Sequence, residues 1–206
     1  MLLGPVGSLE YLGNDEILVR GRVYNITKEM KALDFITIMN IDYSEKGDLR
    51  DTNFRWPYNI SDMVMLDRNR IMLASDYLGL LIWNGAKDNA VLWTRKTELP
   101  FYMIQDTGKT VLCVMQDKKT LIKREITNGS VQTTELLPFA IIAKPLLMDD
   151  GNVLLMYRGG LAIIDSKLKI TNVYQAVWIK EGSNASISND GIYVWAPNKV
   201  ARLKLQ

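Results

Sequence analysis

The chain repeats itself. Five times a short apolar run, a tight polar turn and a second apolar run follow one another: Leu9 to Val19, Met63 to Leu73, Phe101 to Cys113, Pro145 to Leu155 and Ala185 to Val194. Aligned on the first apolar residue after each turn (Ile17, Ile71, Val111, Val153 and Ile192), the units are spaced by 54, 40, 42 and 39 residues. The long interval holds one polar insertion, residues 44–56, and without those 13 residues it falls to 41. A fixed period of about 40 means one supersecondary unit that cannot bury its own apolar face and must stack on its neighbours.

Each turn places Asp or Asn beside Gly, or in the second unit pairs Asp67 with Asn69, which suits the positive φ angles of tight hairpins. A third strand is expected over Val23 to Ile26, Leu80 to Trp83, Thr120 to Lys123, Leu161 to Ile164 and Val200 to Leu205. A fourth is expected over Phe35 to Ile41, Ala90 to Trp93, Val131 to Thr134 and Ile170 to Tyr174. The runs are rich in Val, Ile, Leu, Tyr and Trp, and no segment of helix length keeps a 3.6-residue apolar period. The pattern predicts an all-β chain: a β-propeller of about five four-stranded blades, or a five-blade portion of a larger one. It would be one domain over 1–206, with units at about 8–43, 57–97, 98–137, 138–178 and 179–206 and a loop insertion at 44–56. The last unit shows no fourth strand of its own, so the N-terminal strand 2–6 is expected to pair beside Val200 to Leu205 and close the ring.

The stretch Arg70-Ile71-Met72-Leu73-Ala74-Ser75-Asp76-Tyr77-Leu78-Gly79-Leu80-Leu81-Ile82-Trp83-Asn84 resembles the second half of a WD40 blade. In that family an apolar strand ending in Ala-Ser leads through a polar turn and Gly to a strand ending in Trp-Asp. Gly160-Leu161-Ala162-Ile163-Ile164-Asp165 follows the same pattern more loosely. The resemblance implies a WD40-like β-propeller. The family's Gly-His pair is absent, because the chain contains no His, and its terminal Asp is Asn84 here.

Chemistry is limited by composition. With no His and one Cys, Cys113, the commonest zinc sites and every His-dependent nucleophile are excluded. Asp149-Asp150-Gly151-Asn152 lacks the further spaced carboxylates and closing Glu of a calcium loop, and reads as a hairpin turn. Ser188 to Trp195 resembles the Asp-box turn of sialidase-like propellers with its Gly one position early, and such a box is itself a structural turn. Neither Gly4-Pro5-Val6-Gly7 nor Arg158-Gly159-Gly160 has the Lys-Ser/Thr or following helix that makes a glycine loop hold phosphate; the first, with Ser8, has the composition of a linker. Among the 23 acidic residues no spacing singles out a glycosidase pair. No catalytic, cofactor-binding or metal-binding residue is therefore expected, no cofactor, and no enzyme activity.

The formal charge of +2, from 25 basic and 23 acidic residues, creates no global field toward nucleic acid or an anionic membrane, and neither is an expected partner. No run approaches a membrane span, and the first residues lack the basic and apolar regions of a signal peptide. A single thiol can make no internal disulfide, which points to an intracellular protein, cytoplasmic or nuclear. Four Asn-x-Ser/Thr triplets, at Asn25, Asn59, Asn128 and Asn184, keep secretion as the alternative. Nothing in the pattern sets an oligomeric state.

Sorting the turns by face gives the one functional pattern. Turns between first and second strands carry Asn14-Asp15, Asp67-Arg68-Asn69, Asp106, Asp149-Asp150 and Asn189-Asp190; those between second and third carry Arg20 and Arg22, Asp76-Tyr77, Lys118-Lys119, Arg158 and Lys199. The first set is mostly acidic and the second mostly basic. The insertion with Phe54, Arg55 and Trp56 would join the basic face. Trp83, Trp93 and Trp195 belong on strands and are expected between blades, whereas Trp56, Trp178, Tyr77 and Phe101 lie in or beside loops. The expected partner-binding residues are Arg20, Arg22, Phe54, Arg55, Trp56, Tyr77, Lys118, Lys119, Arg158 and Lys199. The chain reads as a non-enzymatic protein-protein interaction scaffold that grips an acidic or phosphorylated peptide, or a partner subunit, through this face. A secreted or surface glycan-binding propeller of lectin type is the alternative.

Overall fold

The computed structural model of the protein describes residues 2–13, 16–24, 32–40, 50–56, 60–67, 70–75, 78–84, 90–188, 191–197 and 199–203, for the first four ranges as backbone only. All regular structure among them is β. They fall into two compact units, Met1–Ile60 with Ser75–Tyr77, and Ser61–Ala74 with Leu78–Gln206.

In the first unit, β1 (Leu2–Gly13), β2 (Glu16–Tyr24), β3 (Ala32–Asn40) and β4 (Arg50–Trp56) form an antiparallel sheet in chain order. It corrects the sequence reading in three places. The strands expected around Val19 and Val23 are one strand of nine residues. Gly21 signals a turn, but Arg20, Gly21 and Arg22 pair with Ile36, Phe35 and Asp34, and an unbroken ladder satisfies backbone groups that a turn would leave open. Half of the expected loop insertion is β4, with Phe54 opposite Ile36 and Trp56 opposite Asp34; residues 41–49 lie outside the described residues. Finally, Leu2 and Leu3 pair with Tyr24 and Val23, the pairing expected beside Val200 to Leu205 is not found among the described residues, and the stretch Gly4 to Ser8, with its linker composition, is part of β1. A hairpin to the next strand closes a short loop, which costs less entropy than closure across the whole chain.

The second unit follows the repeat closely. Strands β5 (Ile60–Met65), β6 (Arg70–Ser75), β7 (Gly79–Asn84) and β8 (Ala90–Arg95) make one sheet, and β9 (Pro100–Gln105), β10 (Thr110–Met115), β11 (Thr120–Glu125) and β12 (Val131–Leu136) the next. Then come β13 (Leu146–Leu147), β14 (Val153–Tyr157), β15 (Gly160–Ile164) and β16 (Ile170–Gln175), and a three-stranded sheet of β17 (Asn184–Ser188), β18 (Gly191–Ala196) and β19 (Lys199–Leu203). Among the described residues there are thus four four-stranded blades and one sheet of three strands, where the repeat predicts about five four-stranded blades.

Both faces of a middle sheet are buried, which explains why its strands read as continuous apolar runs and not as alternation. Along β10, Val111 and Cys113 join a core with Met72, Ala74, Leu80 and Ile82 of the preceding sheet, while Leu112 and Val114 join one with Leu155, Ala162 and Ile164 of the following sheet. Along β14 and β15, Leu154, Met156, Leu161 and Ile163 face the next core, with Ile192 and Val194 of β18. Sheets stacked face to face in chain order are the blades of a propeller. The expectation for the tryptophans holds in part. Trp83 is 4% exposed, and Trp93 reaches the next blade by donating its indole N–H to the Ile126 carbonyl at 2.8 Å. Trp195 is 39% exposed, because Ile192 and Val194 take the core face of β18 and Trp195 points the other way.

The glycine in the WD40-like unit has a steric reason. At Gly79 (φ 71°) a Cβ would strike the Arg95 carbonyl on β8, and at Gly160 one would strike the Tyr174 carbonyl on β16. In both blades the third strand begins against the backbone of the fourth, and only glycine lets them approach.

Candidate partner-binding face

Antiparallel order puts the β10–β11 turn, the β14–β15 turn and the blade-to-blade connections at one end of successive sheets. Hydrogen bonds tie them together. Leu137 N donates to the Lys119 carbonyl at 3.0 Å and Ile141 N to that of Lys118 at 2.7 Å, and Ile142 N then donates to the Met156 carbonyl at 2.9 Å. Residues 137–142 therefore run from the Lys118-Lys119 turn onto β14, and Phe139 stacks on Tyr157 with ring centroids 4.3 Å apart.

The Lys118-Lys119 turn is held by Asp117. Its Oδ1 accepts from Lys119 N at 2.9 Å and Thr120 N at 2.8 Å, and its Oδ2 accepts from the Thr120 hydroxyl at 2.6 Å. The Thr120 hydroxyl first, then these two N–H groups, hold the Asp117 carboxyl below its ordinary pKa. Lys118, at φ 57°, lays its ammonium 4.5 Å from the centre of the Phe101 ring, and Lys119 stands exposed. Arg158 is exposed in the turn between β14 and β15. Lys199, on the neighbouring sheet, puts its ammonium 5.0 Å over Trp178, which packs on the core shared with β14 and β15. No described carboxylate forms an ion pair with Lys118, Lys119, Arg158 or Lys199.

The turns at the opposite end differ in kind. Asp67 pairs with Arg70 at 2.6 Å, Asp106 with Lys123, Asp150 Oδ1 accepts Asn152 N at 2.9 Å, and Asp165 Oδ1 accepts Lys167 N and Lys169 N at 2.9 Å each. These carboxylates build their own turns, as Asp117 does at the first end, where the charge of Lys119 also acts on it; Lys118, Arg158 and Lys199 are not used in this way. Asp149-Asp150-Gly151-Asn152 is accordingly a hairpin turn, closed by Met148 N to the Asn152 carbonyl, with Gly151 at φ 81°. The turn residues Asn14-Asp15, Arg68-Asn69, Asp76 and Asn189-Asp190 lie outside the described residues.

Four of the expected binding residues, Lys118, Lys119, Arg158 and Lys199, thus lie at one end of three consecutive sheets. Arg20 and Arg22 are in mid-strand on β2, and Phe54, Arg55 and Trp56 are on β4, so none of the five occupies the loop expected for it. Tyr77 lies outside the described residues.

The sequence pattern missed Asp62 on β5, the first strand of its sheet. Its Oδ2 accepts Met103 N of β9 at 2.6 Å and its Oδ1 the Lys144 ammonium at 3.1 Å, so one carboxylate links two sheets and the connection that leads into a third. Burial, then the charges of Asp62 and Glu181, raise the pKa of Tyr102 beside it. No periodicity marks a contact between residues 82 positions apart. Among the described residues no three His, Cys, Asp or Glu side chains gather as metal ligands, and no helix is long and apolar enough to cross a membrane.

No protein-family model matches the sequence, and no curated protein matches it. Solved structures do. The crystal structure of the computationally designed Ika8 protein is similar at TM-score 0.62 and 10% identity, over 96% of this chain and 71% of that one. BamB from Moraxella catarrhalis is similar at TM-score 0.58 and 13% identity, over 94% of this chain and 61% of its own. Hsv2 from Kluyveromyces lactis is similar at TM-score 0.50 and 13% identity, over 71% of this chain and 46% of its own. The chain therefore spans less than two thirds of BamB and under half of Hsv2, both of them propeller proteins. At such identities the likeness concerns the fold: this chain is a divergent β-propeller, as its WD40-like unit implies.

Proposed function

We propose that the chain is a non-enzymatic interaction scaffold, working inside the cell, whose turn face bearing Lys118, Lys119, Arg158 and Lys199 takes an acidic or phosphorylated segment of a partner protein. One observation carries the reading: four cations gathered at one end of three consecutive sheets, none paired with a described carboxylate, while the carboxylates of the opposite turns are engaged in the turns themselves. Cations within a Debye length of about 8–10 Å reinforce one another, so a nearly neutral protein can still draw an anionic segment to one end. The Arg158 guanidinium offers a planar fork that suits carboxylate or phosphate. Phe101 and Trp178 beneath Lys118 and Lys199 add apolar area and hold the ammonium groups over their faces.

The test is a binding titration with a phosphorylated acidic peptide and its neutral counterpart, comparing the wild-type chain with Lys118→Glu, Lys119→Glu, Arg158→Glu, its fold checked by circular dichroism. The wild-type chain should prefer the anionic peptide, lose affinity as salt rises, and bind about tenfold or more tighter than the triple variant. Equal binding by both chains would remove this face from the function.

A further inference from the structure

Val177 is the most exposed large apolar side chain among the described residues, at 91%, yet its loop is firmly tied down. Ala176 N donates to the Gly159 carbonyl at 2.7 Å, Gly159 N to the Ile179 carbonyl at 2.9 Å, and Ile179 N to the Ala176 carbonyl at 2.9 Å. Ile179 is fully buried, and the next turn is closed by Lys180 N donating to the buried Ser183 hydroxyl at 3.0 Å. Val177 faces water because the loop holds it there. Arg158, in the turn that pins the loop, is exposed beside it, and Trp178 follows with Lys199 over its ring.

We propose that this pinned loop is the anchor of the binding face, and that its occupant is a short acidic segment of a partner protein carrying one bulky apolar side chain. That side chain covers Val177, and the flanking carboxylates meet Arg158 and Lys199. The proposal rests on the scaffold reading above and adds what the partner must contain. An apolar group already fixed outward loses little conformational entropy when it is covered. Binding energy concentrates where such a group is ringed by polar contacts that exclude water. Of the charged residues in and beside this loop Arg158, Lys180 and Lys199 are cationic and Glu181 is anionic, a balance that favours carboxylates, and Gly159, at φ 95°, has nothing within 4 Å of where a Cβ would stand, so an incoming side chain finds room.

The test is a display selection of short random peptides on the full chain, followed by titration of the most enriched peptide against full-chain variants. Enriched peptides should combine Asp or Glu with Leu, Ile, Phe or Trp. Val177→Asp should weaken the best of them by about tenfold or more, and Val177→Ile by less than about threefold. Both changes fall on an exposed position, and circular dichroism is the check that the fold is kept. Acidic peptides without an apolar residue, weakened by Lys118→Glu with Lys119→Glu but untouched by Val177→Asp, would overturn this inference and leave the scaffold reading standing. Peptides indifferent to all these changes, or no enrichment at all, would overturn both.

Discussion

The Lys123 ammonium lies 2.5 Å from Asp106 Oδ2, with both side chains less than a tenth exposed. Lys123 also donates to the Ser166 carbonyl of the next blade at 3.1 Å, and the Thr110 hydroxyl donates to Asp106 Oδ1 at 2.5 Å. A buried pair of this kind recovers its desolvation cost only while both members are present. Asp106→Leu should therefore cost about 3–5 kcal/mol in urea denaturation, because it leaves a buried ammonium uncompensated. Adding Lys123→Met should restore most of that loss. A double variant as unstable as the single one would mean that the pair contributes through more than mutual compensation.

Cys113 is fully buried, and burial, offset in part by Arg124, pushes its thiol pKa from 9.0 up to about 12. The native chain should resist an aromatic disulfide reagent at neutral pH and react once urea unfolds it. The sign of the linkage follows. The folded state holds the proton more tightly, so this contribution to stability is complete below pH 9 and declines as pH rises toward 12. Urea midpoints that stay level for wild type above pH 9, or fall equally for Cys113→Ala, would contradict it.

Gly160 and Gly108 should respond oppositely to alanine. At Gly160 the new methyl meets the Tyr174 carbonyl and the Tyr157 ring, and a loss of about 1–3 kcal/mol is expected. At Gly108 nothing lies within 4 Å and φ is not positive, so the change should be neutral or stabilise by up to about 1 kcal/mol through the unfolded chain. Calorimetry of the two variants decides.

Asp117 ties the cationic turn to pH. Its carboxyl titrates below the ordinary Asp value of about 3.9, so the turn's hydrogen bonds are intact above that value and are lost as pH falls through the lowered one. The amide resonance of Thr120 should titrate with a midpoint under 3.9, the ordinary value in that range, and Asp117→Asn should abolish the titration. Asp117→Ala should cost only about 0.5–1 kcal/mol, since solvent screens this exposed carboxylate.

Much of this was legible in the residues. The period, the hairpins and the apolar runs of the four later units follow from local chemistry, and Gly79 and Gly160 carry their steric reason in the sequence pattern. The first unit misled for a physical reason. Arg20-Gly21-Arg22 has turn composition, and pairing on both sides overrode it; the polar stretch from Arg50 reads as loop, yet it completes a sheet whose third strand offers it a ladder. That Lys118, Lys119, Arg158 and Lys199 share one end of their sheets was legible, because turns sort by face once strands are counted; that they bind a partner is our proposal. Val177 was not, since an apolar residue after a strand reads as core until hydrogen bonds from Gly159 are seen to hold it outward. Asp62 with Lys144 was equally hidden, being a tertiary contact without local pattern.

Strands β10, β11, β14 and β15 each lend alternate side chains to two cores, and each core joins sheets consecutive in sequence. Within this unit a core can form as soon as its second sheet has been synthesised, with nothing waiting for a distant partner. A sheet serving two cores also resists a lone deletion or register slip, which would misplace side chains on both sides at once. Change in length is admissible only between strands, at the turns, and those same turns carry the charges through which we read this protein's function.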